Sequence, residues 1–148
     1  GEHNGTFRGN NLAFVTAKAA IDHYWSDDSF SREVQRKGRY ISQRLEKIVE
    51  KHGEGQFTTR GRGMFQGINC INGKIAGEIS QKAFQRGLMI ETSGADDHVV
   101  KFLCPLTISD LNLKKGIDIV EAAIGEVCAR QDSIPQEMDF FKATQATV

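Results

Sequence analysis

The residue types within Gly5-Thr6-Phe7-Arg8-Gly9-Asn10-Asn11 suit anion binding. Gly5 and Gly9 admit backbone angles closed to other residues. Asn10 and Asn11 are good helix N-caps, and the Ala-rich apolar run from Leu12 to Ile21 is a good helix former. A glycine-rich turn entering a helix leaves N–H groups unpaired, with the positive end of the helix dipole behind them. Such a place suits a phosphate, and Thr6 adds a hydroxyl donor. As a bare pattern, the same features more often mark an ordinary N-capped helix start.

Other reactive side chains form no constellation. Cys70, Cys104 and Cys128 are odd in number and scattered, without CxxC spacing, and read as reduced, mostly buried thiols. No base stands beside Cys104 in the sequence to make it a nucleophile. His3, His23, His52 and His98 are equally dispersed, so no metal site is expected.

The elements that must position the loop follow from periodicity. The 148 residues can bury one ordinary core with appendages, and 39% hydrophobic with 26% charged residues is the balance of a soluble globular protein. Nineteen basic residues offset nineteen acidic ones, which gives no electrostatic footprint for nucleic acid and no basic membrane patch. No apolar run approaches the ~20 residues that span a bilayer. No signal peptide is visible, and a cytoplasmic location is expected.

A first helix is expected from Asn11 to Trp25, apolar nearly all round and hence buried on more than one side, between layers or domains. Phe30 to His52 reads as a long amphipathic helix closed by Gly53, with Val34, Ile41, Leu45, Ile48 and His52 as its stripe. Its charged residues, including a Glu33–Lys37 pair, read as a solvated face. Strands are expected at Gln56–Arg60 and Met64–Ile71, joined at Gly61-Arg62-Gly63, the second being central. A helix from Lys74 to Arg86 with Ile75, Ile79 and Ala83 inward follows, stopped by Gly87. Strands Leu88–Thr92 and His98–Leu103 flank the loop Ser93–Asp97. A last helix, capped by Ser109 and striped by Leu113, Ile117, Val120, Ile124 and Val127, runs to about Arg130. Asp132 to Val148 is a tail that either docks through Phe140 and Phe141 or stays loose. The order predicts an α+β fold, a small, mainly antiparallel sheet with helices packed on it.

Three segments carry a family resemblance. His3-Asn4-Gly5-Thr6-Phe7-Arg8-Gly9-Asn10-Asn11-Leu12-Ala13 resembles the H-G-S/T-T-F/Y-G/S-G-N-P-L/V-A segment of class III aminotransferases. Thr59 to Ile68 is similar to their V-R-G-x-G-L-x-x-G-I strand pair, and Val100 to Ile108 to their V/I-I/V-R-F-x-P-P-L-x-I strand. The wording is nearest to the branch that serves ectoine synthesis. The resemblance implies a fold-type-I enzyme using pyridoxal 5'-phosphate, with Thr6, flanked by Gly5 and Phe7, reaching the cofactor phosphate of the other subunit of an obligatory homodimer. It implies that residues 1–25 end a large cofactor domain, that 26–131 form the small C-terminal domain, and that 132–148 are a tail.

The activity implied is transfer of an amino group between glutamate and L-aspartate 4-semialdehyde, giving L-2,4-diaminobutyrate and 2-oxoglutarate. The family's Schiff-base lysine and the Asp that pairs with the pyridine nitrogen would both lie before residue 1. The chain starts without Met and in mid-motif, so it reads as the C-terminal piece of a longer protein, with no catalytic residue of its own and inactive alone. Two departures stand out: Lys101 where the family usually has an Arg clamping a substrate carboxylate, and Cys104-Pro105 for the Pro-Pro pair. Lys101 then either binds the α-carboxylate as a point charge or leaves the clamp elsewhere. Arg60 is either a structural anchor or an anion contact. Two alternatives stay open: another ω-aminotransferase (for ornithine, acetylornithine or 4-aminobutyrate), and a non-enzymatic α+β module binding a ligand or partner.

Overall fold

The structure, a computed structural model, describes Gly5, residues 8–53 and residues 55–132. Helix α1 (Asn11–Tyr24) starts at Asn10, whose side-chain oxygen accepts hydrogen bonds from the amides of Leu12 (3.0 Å) and Ala13 (3.2 Å). The all-round apolar character of α1 predicts burial, yet none of its residues is buried, and Leu12 is 76% exposed. Among the described residues its contact is at its C-terminal end, where the rings of Tyr24 and Trp25 lie 4.8 and 5.1 Å from that of Phe30.

Helix α2 (Ser29–His52) ends at Gly53, whose φ of 126° favours glycine. Ile41, Leu45 and Ile48 of its expected stripe are fully buried, and Val34 packs partly against them. Lys37 departs from the solvated face expected of it. It is 6% exposed, its ammonium 3.5 Å from Glu33 and 3.4 Å from the Leu106 carbonyl, because the chain beyond the sheet passes over it.

Strand β1 (Phe57–Arg62) and strand β2 (Phe65–Cys70) form a hairpin whose turn falls at Gly63-Met64, two residues later than the sequence suggests. Gly61 and Arg62 therefore belong to the strand. Helix α3 (Gly73–Gln85) follows, then strand β3 (Glu91–Ser93), strand β4 (Val99–Leu103) and helix α4 (Asp110–Asp132). Strand β3 is shorter than expected, since Leu88 to Ile90 lie outside the ladder. The sheet has the order β1-β2-β4-β3 and is antiparallel throughout. This is the expected α+β fold.

Helices α2, α3 and α4 cover one face of the sheet. Phe57, Ile68, Cys70, Val100 and Phe102 from the strands meet Ile41, Leu45, Ile75, Ile79, Ile117, Val120 and Ile124 from the helices in one core. The Ser109 hydroxyl caps α4 by accepting from the Asn112 amide at 3.3 Å. Phe140 and Phe141 lie outside the described residues.

Candidate functional site

Successive strand residues point to opposite faces, so the residues between the core positions project from the face that carries no helix among the described residues. Register places Arg60 opposite Gly67, Gly67 opposite Lys101, and Lys101 opposite Glu91. One row thus crosses all four strands, reading Arg, Gly, Lys, Glu. Phe65 and Leu103, paired two residues away along β2 and β4, leave 59% and 65% of their surface exposed on the same side.

Lys101 donates a hydrogen bond from Nζ to Oε2 of Glu91 at 2.9 Å. Its side chain keeps 20% of its surface, while that of Glu91 keeps 74%. The hydrogen bond and then the charge of Lys101 hold the Glu91 carboxyl below the usual carboxylate range. Arg60 and Arg62 are exposed and form no ion pair among the described residues.

Two depressions meet at Lys101. A trough of about 280 Å³ lies over Gly67, bounded by Arg60, Phe65, Ser93, Val99 and Lys101. A Cβ on Gly67 would stand 2.7 Å from the Val100 carbonyl oxygen and 2.8 Å from Cγ1 of Val99, so the trough keeps its floor only with glycine there. A second, more apolar cleft of about 370 Å³ lies between β3, β4 and α4, with Lys101 and Glu91 at its rim and Cys104, Ile108 and Leu113 inside.

The β1–β2 hairpin is fixed from behind. Gln66, 7% exposed, donates from Nε2 to the carbonyls of Gly38 (2.9 Å) and Gly63, and its Oε1 accepts from the Ser42 hydroxyl at 3.0 Å. This ties the strand carrying Gly67 to α2. Cys104 sits half-buried in the cleft, and burial pushes its thiol pKa up despite opposing pulls from its backbone hydrogen bond and Lys37. A nucleophilic cysteine needs the opposite shift. Burial likewise pushes the Cys70 thiol up to about 11.

Of the residues expected to meet a cofactor phosphate, Thr6 and Phe7 lie outside the described residues. Gly5 is exposed, and its carbonyl accepts from the Arg8 amide at 3.2 Å. Asn10 occupies the amides of Leu12 and Ala13, so these two cannot also serve an anion. Glu91 was not singled out by the sequence. The signal was an acid in one short strand facing a base in the next, readable only once the register is known.

The sheet is backed by helices on one side, and its other face is lined by Lys101, Glu91 and two arginines without an ion pair among the described residues. The chain belongs to the class III aminotransferases: the family model Aminotransferase class-III matches residues 1–124. It is 53% identical over 125 residues to a diaminobutyrate–2-oxoglutarate transaminase of Halomonas elongata, covering 83% of this chain and 30% of that protein. A diaminobutyrate–2-oxoglutarate transaminase of Bordetella parapertussis is 45% identical over 141 residues, with coverage of 95% and 32%. Among solved structures, an acetylornithine aminotransferase of Elizabethkingia anophelis superposes with a TM-score of 0.69 at 27% identity, over 85% of this chain and 33% of that one. The chain spans about a third of the length of the curated relatives it matches.

Members of this family depend on pyridoxal 5'-phosphate. The described residues fit only part of such a site. Lys101, the lysine lining both depressions, donates to Glu91, and Thr6 and Phe7 lie outside the described residues.

Proposed function

We propose that this chain is the C-terminal portion of a diaminobutyrate–2-oxoglutarate aminotransferase. It would help move an amino group between glutamate and L-aspartate 4-semialdehyde in the cytoplasm, as a step towards ectoine. The reading is carried by one observation, the 53% identity to the Halomonas elongata transaminase of that name. The cofactor, when bound, supplies the carbonyl group that accepts and returns the amino group.

Within that reading, residues 1–25 close the large cofactor domain, 26–131 form the small domain and 132–148 are a tail. Thr6, with Gly5 and Phe7 shaping its loop, donates its hydroxyl to the cofactor phosphate of the partner subunit, which makes the homodimer obligatory. Lys101 meets the α-carboxylate of the amino-acid substrate as a point charge. This chain holds no catalytic residue and is inactive alone. Its exposed helix α1 and bare sheet face are supported as surfaces that the rest of the enzyme covers.

The test is amine-donor profiling of the full-length enzyme containing this chain, with 2-oxoglutarate as acceptor. The highest kcat/KM is expected with L-2,4-diaminobutyrate; preference for ornithine or acetylornithine overturns the substrate assignment. Thr6→Ala is expected to weaken cofactor retention on dialysis, and unchanged retention removes Thr6 from the site.

A further inference from the structure

The charge row on the bare face carries more than a carboxylate contact. We propose that Glu91 and Lys101 act together as one receptor for the zwitterionic end of an ω-amino α-amino acid, Glu91 taking the α-ammonium and Lys101 the α-carboxylate. This rests on the substrate reading above and assigns Glu91 the selection of that substrate.

The chemistry requires such a receptor. When the transferred amine sits at the far end of the substrate, the α-ammonium and α-carboxylate are both bystanders, side by side and opposite in charge. Glu91 and Lys101 present the complementary pair, directly opposed across the strands with Nζ and Oε2 2.9 Å apart. Both heads are reachable: the Glu91 side chain is 74% exposed, and Lys101 lies at the join of the two depressions. The pair is open to solvent at its Glu91 end, so the carboxylate can turn from Lys101 to a substrate ammonium. Re-pairing gives four charges of alternating sign and leaves none unmatched.

The room is there too. On the other side of Lys101 the row continues with Gly67, which has no side chain, and the trough opens over it. An ω-amine donor with a carboxylate but no α-ammonium meets a different surface. It can pair with Lys101 only by facing the Glu91 carboxylate, so Glu91 rejects it by repulsion as well as by an unmade bond. Lys101 supplies attraction, and Glu91 supplies discrimination.

The experiment uses the full-length holoenzyme containing this chain and two amine donors that differ in one group. L-2,4-diaminobutyrate and 4-aminobutyrate share the terminal amine, the carboxylate and the chain length, but only the first has an α-ammonium. Glu91→Gln keeps shape and removes charge. It is expected to cut kcat/KM for L-2,4-diaminobutyrate by about 10- to 100-fold through KM, the range for one hydrogen bond between charged groups. The same variant is expected to raise kcat/KM for 4-aminobutyrate a few-fold, as the repulsion is gone. Glu91→Asp, which keeps the charge on a shorter stem, is expected to recover part of the preference. Unfolding midpoint and cofactor absorbance, measured on each variant, distinguish these effects from loss of fold. An equal loss for both donors, or an unchanged ratio between them, overturns the receptor while leaving the aminotransferase reading intact. A wild-type enzyme that does not accept L-2,4-diaminobutyrate overturns that reading and the receptor with it.

Discussion

Gly38 lies in the middle of α2, where a glycine costs helix stability, and replacing it with alanine sets two effects in direct opposition. Alanine is favoured over glycine in a helix interior by about 1 kcal/mol. Against this, a Cβ at Gly38 would stand 2.9 Å from the carbonyl carbon and oxygen of Gly63 and 3.0 Å from its Cα. Carbon contacts settle at about 3.5–4.0 Å, so helix and hairpin must part by roughly 0.5–1 Å. The neighbour is backbone and cannot rotate away. Overpacking of this kind costs about 1–3 kcal/mol.

Separation also stretches the Gln66 bridge, whose Nε2 holds the Gly38 and Gly63 carbonyls together from a buried position. A buried polar group left without its partner costs about 1–3 kcal/mol. The clash and the loosened bridge outweigh the gain in propensity by about 2 kcal/mol. At roughly 2–4 °C per kcal/mol for a chain of this size, Gly38→Ala should melt about 4–8 °C below the wild type. Circular dichroism melts, with urea titrations to confirm an unchanged m-value, measure it. A variant as stable as the wild type, or more so, refutes the close approach of α2 to the hairpin turn and shows that helix propensity dominates.

Acid should loosen the α2–α4 contact. Lys114 and then Arg44 hold the Asp118 carboxyl below its ordinary value, and Lys51 does the same for Glu121. A carboxylate with a depressed folded pKa contributes stability above its unfolded value, about 3.9–4.3, and loses it as pH falls through the folded one. Urea midpoints should therefore be flat between about pH 7 and pH 5 and fall below about pH 4. Asp118→Asn combined with Glu121→Gln should flatten that fall, and an equally steep fall removes these pairs from the explanation. At the head of α1, Asn10→Ala deprives the amides of Leu12 and Ala13 of their acceptor, which costs a helix about 1 kcal/mol. Hydrogen exchange should speed up about fivefold in the first turns of α1 and stay unchanged in α2; no change in α1 refutes the cap.

Helices were legible in the sequence because each buries a stripe that repeats with the helical period. Ile41, Leu45 and Ile48 of α2, and Leu113, Ile117, Val120, Ile124 and Val127 of α4, are all buried as their spacing requires. Strand ends were less legible. Gly61 and Arg62 look like a turn by composition, yet Gly61 is held in β1 opposite Gln66, its φ of 107° admitted by the missing side chain. Leu88 to Ile90 have the composition of a strand but stay outside the ladder, because α3 holds them: the Leu88 amide donates to the Ala83 carbonyl at 3.0 Å and the Ile90 carbonyl accepts from the Ser80 hydroxyl at 2.6 Å. The burial of Lys37 depends on Leu106 arriving from 69 residues away, which no local pattern encodes. For the site, Lys101 could be singled out because it departs from a family motif, while Glu91 gained its meaning from register alone.

The two faces of the sheet differ in how their charges are matched. Behind the sheet, Arg44 meets Asp118 and Glu121, Lys82 and Arg86 meet Glu126, and Arg130 meets Glu78, so the helices neutralise one another. On the bare face, Arg60 and Arg62 have no ion pair among the described residues, and Lys101 has only Glu91. An arginine at position 101 would offer a planar fork that holds a carboxylate by two bonds, whatever else the substrate carries. The same fork would also grip Glu91 bidentately and keep it from a substrate ammonium. A lysine offers one compact charge that passes readily from one carboxylate to another. Lys101 and Glu91 are thus a single feature of the proposed receptor, in which the compact cation leaves the acid able to meet a substrate ammonium.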